Sequence, residues 1–188
     1  MSWKPWVIGA SAGVAVLVAG YFVVDGSVYN RAIGLRADIE QYQSQIQVIQ
    51  EQRTSVLLNS ARTVQDYGDV NVEVAQVFAT AVSAIESGDQ QAVDSSASLI
   101  LGLGAQQRIP NGIPAQTWNT LQTQIEAQEN KLATERRRLN LLIAGWNKLT
   151  NGYIAGGFAS RHGFHPGQYN HLLYEAPEAS LQAPELFD

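Results

Sequence analysis

Three histidines near the C-terminal end are the side chains best suited to bind a metal or to transfer protons. His162, His165 and His171 lie close together in the sequence, and Glu175 and Glu178 follow them. A metal site would require these side chains to converge at about 2 Å from one ion. Their spacing matches no zinc-enzyme motif, and no helical pattern frames the segment. We therefore interpret them as surface or packing histidines, and we predict no metal site and no cofactor.

Other patterns of catalytic residue types are missing from the sequence. The chain has no cysteine, which excludes disulfides, Cys-ligated zinc, iron–sulfur clusters and thiol nucleophiles. No Gly-rich phosphate loop, Ser-His-Asp arrangement or paired-carboxylate motif can be identified. We therefore predict a protein that is not an enzyme. If it were one, the three histidines would be its best candidate site.

Arg53 is a charged residue at a position where the surrounding helical pattern is apolar. A guanidinium group that is buried without a partner destabilises a protein strongly. If the first and last long helices run antiparallel, with residue 28 level with residue 153, Arg53 lies opposite residue 128. Gln128 or Glu129 is then its natural partner. We predict an Arg53–Glu129 ion pair that fixes the register of the two helices and has no catalytic role.

The only basic run in the chain is Arg136-Arg137-Arg138. Three consecutive helix positions point in three directions, so these arginines do not form one flat patch. Glu129 and Glu135 lie nearby, and a solvated or ion-paired surface is favoured over contact with lipid headgroups. The net charge of the chain is −5, and nucleic-acid-binding proteins usually carry a basic surface. We predict no nucleic-acid partner.

An uncharged apolar run near the N-terminus has the length of a membrane span. The run Pro5–Val24 forms a helix of about 30 Å, which matches the hydrocarbon core of a bilayer. Trp3 and Trp6 at one end, and Tyr21 and Phe22 at the other, are typical of interfacial aromatic residues. A cleaved signal peptide is the rival interpretation, but this run is longer than an ordinary signal-peptide core. We predict an uncleaved, single-pass anchor in the cell (inner) membrane, with the rest of the chain on the extracytoplasmic side.

Three glycines, Gly9, Gly13 and Gly20, fall close to one face of this predicted helix. Gly9 and Gly13 form a GxxxG motif, which lets the backbones of two transmembrane helices approach closely. Two interpretations are open. The glycines either form a packing face for another helix or reflect the general abundance of glycine in membrane helices.

Apolar residues after the anchor recur at steps of three and four, which is typical of coiled-coil-like helix surfaces. Glycine, asparagine and proline separate four such stretches. The predicted boundaries are a first helix with its apolar seam from Leu35 and its end at Gly68-Asp69, two short helices over about Val70–Ser87 and Gln90–Gln107, a loop over Ile109–Pro114, and a fourth helix with its seam from Trp118 to Tyr153.

The order of these helices predicts an all-α protein, because no segment has the alternation of a strand. A long helix, two shorter helices and a second long helix favour an antiparallel four-helix bundle. We predict a membrane anchor with a short N-terminal tail over residues 1–27, the bundle over residues 28–155, and an irregular, extended tail over residues 156–188. Asp25-Gly26-Ser27 either breaks the first helix or bends one continuous helix.

Charged residues are scarce, at 15% of the chain against about 25% in an average soluble domain. Glutamine takes their place in the first helix. A glutamine-rich face packs against a neighbouring copy at little desolvation cost, although a merely solvated face explains it equally well. The glutamines are Gln41, Gln43, Gln45, Gln47, Gln50 and Gln52.

Two regions of the chain resemble the LemA family. The first is similar to the family's YNxLVxLR start and its segment ending RRxDLIPNLVxTVxxY, through Tyr29-Asn30, Leu35-Arg36, Ser44-Gln45-Ile46, Gln52-Arg53, Thr63-Val64 and Tyr67. The second is similar to ExxIxxxRxxYNxxVxxYN and a later GF element, through Glu129-Asn130, Arg136-Arg137, Asn140, Trp146-Asn147 and Gly163-Phe164. The Asp and Pro of the DLIPN element are Ser55 and Leu58 here, so the chain is identified as a divergent member.

This resemblance implies a membrane helix joined to an antiparallel helical bundle, with no established enzymatic activity. Relatives include a protein needed for magnetosome membrane formation, and others are encoded beside membrane-bound metalloproteases. We therefore predict a homo-oligomeric, LemA-like protein that scaffolds or shapes the membrane. The alternative is an adaptor or regulator of another membrane protein, such as a membrane protease. The expected partners are the lipid bilayer and either a second copy or that other protein.

Overall fold

The computed structural model describes residues 5–105 and 109–174, with side chains from residue 13 onward. Within these ranges the protein is all-helical and contains no strand, as predicted. Gln107, the predicted end of the third helix, lies outside the described residues. The helices are α1 (Pro5–Asp66), α2 (Val72–Ser87), α3 (Gln90–Ala105), α4 (Ala115–Asn151) and α5 (Tyr153–Arg161), followed by a 3₁₀ turn at Asn170–Leu172.

The first helix, α1, continues without interruption through Asp25-Gly26-Ser27. Of the two alternatives for this segment, the continuous helix is therefore the one present. α1 ends just before Gly68, whose φ is +62°. Glycine adopts this left-handed conformation without the steric penalty of a Cβ atom, so the predicted stop falls where expected.

The dipeptide Gly88-Asp89 ends α2 and begins α3. The backbone N–H of Gly88 donates to the carbonyl of Ile85 at 3.1 Å, and that of Asp89 donates to Ala84 at 3.0 Å. The carboxylate of Asp89 then accepts the N–H of Ala92 at 3.0 Å. The helix end and the next helix start are thus both satisfied within two residues, which brings α2 and α3 side by side.

The chain divides into two compact units: a terminal unit, Met1–Gln43 with Arg137–Asp188, and a central unit, Ser44–Arg136. In the central unit, buried apolar side chains from α1, α2, α3 and α4 form one core cluster. The rings of Phe78 and Trp118, both members of this cluster, meet edge to face with centroids 6.5 Å apart. Edge-to-face contact is a favoured geometry for aromatic pairs. The predicted domain boundaries at residues 27 and 155 stay predictions.

The core of the terminal unit joins α1 to α4 and to the segment after α5. From the helices it contains buried Ile39, Leu139, Ile143 and Trp146. The ring of Trp146 packs edge to face against Tyr169, with centroids 4.9 Å apart. The C-terminal segment through residue 174 therefore packs against helices of its own chain.

The beginning of the predicted extended tail is helical instead. α5 includes Gly156 and Gly157 and continues to Arg161. Each glycine weakens a helix by about 1 kcal/mol relative to alanine, but Ala159 is fully buried in this helix, and such tertiary packing outweighs local propensity. A Cβ on Gly156 would collide with the carbonyl oxygen of Thr150, so glycine here allows α5 to begin close against α4.

The apolar seam of the fourth helix ends earlier than predicted. α4 stops at Asn151, and Gly152 leaves the helical conformation with ψ of 137°. Tyr153, expected as the last seam residue, is 100% exposed. The break at Gly152 changes the direction of the chain, so the three-and-four spacing no longer places Tyr153 on the buried side.

Candidate functional site

One helix in the described part of the chain is long and apolar enough to cross a membrane: α1, from Gly13 onward and near the N-terminus. Its apolar side chains are uncovered, with Val16 71%, Leu17 75% and Val23 71% exposed. The core helix of a soluble protein would bury such side chains against other helices. In a bilayer, lipid covers them while the helix satisfies its own backbone hydrogen bonds.

Gly13 and Gly20 in this apolar segment have no close neighbours among the residues that the structure describes. A Cβ atom built at Gly13 or Gly20 would meet no heavy atom within 4 Å. Gly9 lies outside the residues whose side chains are described. The described part of the chain therefore gives no steric reason for glycine at these two positions.

Aromatic rings and a hydrogen bond between a histidine and an aspartate surround the point where the apolar part of α1 ends. Asp25 Oδ1 lies 2.9 Å from His162 Nε2. The His162 ring packs against Tyr29 with centroids 5.0 Å apart, and Phe164 lies 6.0 Å from Tyr29. We call Asp25, Tyr29, His162 and Phe164 the junction cluster. It fixes the segment after α5 to the first charged turn of α1.

α5 packs against the last apolar turn of α1 through Tyr21. The rings of Tyr21 and Phe158 lie 5.1 Å apart. The guanidinium carbon of Arg161 lies over the Tyr21 ring, 5.4 Å from its centroid, within the range of a cation–π interaction. One aromatic residue of the predicted anchor thus contacts both an apolar and a cationic side chain of α5.

The three histidines of the C-terminal segment do different things. His162 faces Asp25, the backbone carbonyl of His165 accepts the indole N–H of Trp146 at 3.0 Å, and His171 lies in the 3₁₀ turn. No group of three or more potential metal ligands occurs among the described residues. Glu175 and Glu178 lie outside them. That the protein binds no metal or cofactor stays a prediction.

Two asparagines of α4 hold the segment that follows α5. Asn140 exchanges two hydrogen bonds with the backbone of Tyr174, at 2.7 and 3.1 Å. Asn147 donates to the side chain of Asn170 at 2.8 Å and accepts the backbone N–H of Gly167 at 2.9 Å. Side-chain amides can fix this largely non-helical segment to α4, because each amide carries both hydrogen-bond donors and acceptors.

In the central unit, the buried Arg53 lies at the centre of an ion-pair cluster whose acids, Asp94 and Glu129, are partly exposed. Its side chain is 1% exposed. Its Nε donates to Glu129 Oε1, and its Nη1 donates to Asp94 Oδ1 at 2.5 Å. Its Nη2 donates to the carbonyl of Val93 at 3.4 Å. The structure thus contains the Arg53–Glu129 contact expected from the sequence, while the role of that contact in fixing the helix register stays a prediction.

Asp94 is the second acid of the cluster, and sequence reasoning missed it. Its Oδ2 accepts a hydrogen bond from Arg136 Nη1 at 3.2 Å, and its Oδ1 also accepts one from Gln90 at 3.2 Å. Arg136 is therefore ion-paired, in agreement with one of the interpretations of the basic run. A signal was present in the sequence: a guanidinium group has five N–H donors, so a single carboxylate does not satisfy it when it is buried.

The pKa values of the two acids in this cluster are shifted in opposite directions. Burial raises the pKa of Glu129 above its ordinary value, and the positive charge of Arg53 only partly offsets this. Burial also acts to raise the pKa of Asp94, but the charges of Arg53 and Arg136, with the hydrogen bonds from Arg53 and Gln90, outweigh it and hold that pKa below its ordinary value. Each of the two carboxylates contacts a guanidinium group on another helix. The arrangement can therefore hold α1, α3 and α4 together.

No family model matches this chain, and neither a curated protein nor a solved structure matches it. The resemblance to the LemA family rests on the motifs quoted above and stays a prediction.

Proposed function

We propose that this protein is a non-enzymatic, single-pass membrane protein of LemA-like type that assembles with copies of itself to scaffold or shape the membrane. The observation that carries this proposal is an exposed face of α1 with small residues along it. Gly13, Gly20, Ser27 and Gly34 follow one another at seven-residue intervals, and Gln41 continues the series. We call these five residues the heptad face.

The heptad face has no partner within the described part of the chain. All five residues are exposed, and a Cβ at any of its three glycines would meet no atom within 4 Å. A seven-residue repeat stays on one side of a helix that supercoils with another helix. Small residues at these positions would let two copies of α1 approach closely inside the membrane and beyond it.

The glycines of the heptad face, and exposed glutamines further along α1, support the same proposal. Glycine in a helix costs about 0.5–1 kcal/mol relative to alanine, and no neighbour among residues 13–105 and 109–174 gives a steric reason for it here. Beyond the anchor, Gln41, Gln45 and Gln52 are exposed on α1. Uncharged amides avoid the repulsion that like charges on two identical helices would create.

We further propose that α1 to α4 pack as an antiparallel four-helix bundle. Two contacts between α1 and α4 in the central unit support this arrangement. Tyr67 Oη lies 3.4 Å from Thr117 Oγ1, and Lys131 Nζ lies 3.3 Å from Gln52 Oε1. The residue numbers fall along one helix as they rise along the other, which is the pattern of antiparallel neighbours.

We place the anchor in the cell (inner) membrane, with the helical part on the extracytoplasmic side. Lys4 precedes the apolar run, and Arg31 and Arg36 follow it. One basic residue on one side against two on the other gives the positive-inside rule little force. Accessibility of an introduced cysteine to a membrane-impermeant reagent in intact cells tests this orientation, and the cysteine-free chain provides a clean background.

Chemical crosslinking and mass measurement in mild detergent test the assembly. We expect oligomers from the native chain, and an association constant lower by about tenfold for Gly13→Leu and Gly20→Leu, because a bulky side chain separates the two helices. Val18→Leu is the control, since residue 18 lies on the opposite side of α1. Monomers alone, in detergent and in vesicles, would contradict the proposal. One foreign membrane protein captured in stoichiometric amount would favour the adaptor function.

A further inference from the structure

We propose that α5 lies on the membrane surface beside the anchor and inserts Tyr153 and Ile154 into the boundary between phospholipid headgroups and acyl chains. This inference rests on the proposed membrane anchor. It assigns to α5 a lipid-binding role, because two adjacent large side chains at its start are not covered by any part of the chain that the structure describes. Tyr153 is 100% exposed and Ile154 is 66% exposed.

The first step concerns the level of α5 along α1. Phe158 and Arg161 contact Tyr21, and Tyr21 lies one helical turn before Val24, the last residue of the uncharged run. One turn of helix is about 5 Å. If the run spans the hydrocarbon core, Tyr21 lies at its edge, and the contacts place Phe158 and Arg161 of α5 at the same depth, with Ile154 one turn away from Phe158.

The second step concerns the direction in which the side chains point. Ile154, Phe158 and Arg161 have the spacing of one helix face. Phe158 on this face packs against Tyr21, while Ile154, one turn earlier, is left uncovered. The apolar surface that begins on the anchor, with Phe22 at 66% exposed, therefore continues onto α5.

The third step concerns the chemistry of the surroundings. Tyrosine and other amphipathic aromatic residues concentrate at the headgroup level, where the ring is apolar and the hydroxyl is wet. Arg161 supplies a cation at this level for a lipid phosphate, and the Asp25–His162 pair marks the polar side of the boundary. Phospholipid covers such a surface better than water does, since water leaves the isoleucine exposed and lipid does not.

Site-specific fluorescence in phosphatidylcholine vesicles tests this inference. The chain has no cysteine among its residues, so Tyr153→Cys and Ile154→Cys each accept a single environment-sensitive dye without further mutation. Val72→Cys is the matched control, because Val72 is 81% exposed and lies at the start of α2 in the central unit. Leu17→Cys reports on the anchor itself. All four positions are exposed, so the labels disturb no core packing.

We expect nitroxide lipids labelled near the headgroup to quench the dyes at residues 153 and 154 at least about twofold more than the dye at residue 72. Quenching of residue 17 by nitroxide at the acyl-chain end, with no headgroup-level quenching at residues 153 and 154, overturns this inference and leaves the anchor intact. Absence of quenching at residue 17 as well overturns the proposed membrane anchor. Crosslinks from residues 153 and 154 to a second copy, without lipid quenching, assign the surface to that copy.

Discussion

Arg53 Nη1 and Asp94 Oδ1 lie 2.5 Å apart, and their contact joins α1 to α3 within the central unit. The same carboxylate accepts a hydrogen bond from Arg136 of α4 through its other oxygen. One aspartate therefore connects three helices. Because the guanidinium of Arg53 is almost fully buried, its positive charge depends on the carboxylates of Asp94 and Glu129 for compensation.

Removal of the buried charge should destabilise the protein. We expect Arg53→Ala to lower the free energy of unfolding by about 3 kcal/mol, since it leaves Asp94 and Glu129 without their shared cation and creates a cavity. The exposed Arg62 on the same helix is the control, and Arg62→Ala should change stability by less than about 0.5 kcal/mol. Urea unfolding followed by circular dichroism in detergent measures both. Equal losses of stability in the two variants would show that the ion pairs of Arg53 stabilise the protein no more than an exposed arginine does.

The two acids of the cluster should respond differently to neutral isosteres. A lowered pKa means that Asp94 contributes stability above its unfolded-state pKa and loses it as the pH falls through the folded-state pKa. Because the Asp94 side chain is 37% exposed and solvent screens its charge, Asp94→Asn should lower the free energy of unfolding at neutral pH by less than about 1 kcal/mol. The difference from the native chain should shrink on acidification, because the native aspartate then becomes protonated as well.

The pKa of Glu129 is shifted in the opposite direction from that of Asp94, so its effect on stability depends on pH in the opposite way. Its raised pKa means that its contribution to stability is fully present below the unfolded-state pKa and is lost as the pH rises through the folded-state pKa. Glu129→Gln mimics the protonated form, keeps an acceptor for Arg53, and should leave stability at neutral pH unchanged or slightly higher. Unfolding curves of both variants at several pH values check the asymmetry. A larger loss for Glu129→Gln than for Asp94→Asn would contradict it.

Asn147 should control the mobility of the segment after α5. Asn147→Ala removes the hydrogen bonds to Asn170 and Gly167 and should raise amide hydrogen exchange over residues 165–172 by about tenfold, equivalent to roughly 1.4 kcal/mol. Asn119→Ala, at an exposed position of the same helix, is the control and should leave that exchange unchanged. Unchanged exchange in both variants would show that the aromatic contacts alone hold the segment.

Two glycines of α3 should give opposite results when replaced by alanine. A Cβ at Gly102 would meet nothing within 4 Å, so Gly102→Ala should stabilise the helix by about 0.5–1 kcal/mol. A Cβ at Gly104 would overlap the side chain of Gln122, whose amide donates to the carbonyl of Ile100 at 2.8 Å. Gly104→Ala should therefore be destabilising by about 1 kcal/mol. Thermal unfolding of both variants measures the difference, and a gain in stability for Gly104→Ala would contradict this account.

The helices were predictable because their signals are local. Apolar spacing identified α1 and α4, and glycine at residues 68 and 88 marked two helix ends that the structure contains. Arg53 stood out because it interrupts an apolar seam. Asp94 lies beside the seam of α3, and nothing local in the sequence distinguishes it from a solvated acid.

The remaining features depend on contacts between distant parts of the chain. Asp25 and His162 are 137 residues apart, and no local pattern links them. α5 forms despite two adjacent glycines, because burial of Ala159 and the close approach to Thr150 are properties of the folded chain. Tertiary packing overrides local propensity at such positions.

α1 continues without a break through Asp25-Gly26-Ser27. The number of residues in this segment therefore fixes the angle about the helix axis between the side chains before it and those after it. Each residue turns a helix by about 100°, and a stiff helix transmits that rotation along its axis. One residue inserted after Gly26 would swing Gly13 and Gly20 about a quarter turn away from Gly34, and would shift Asp25 in phase relative to Tyr29. A rotation of the apolar segment about the helix axis would therefore be transmitted along the continuous helix to residues 28–43.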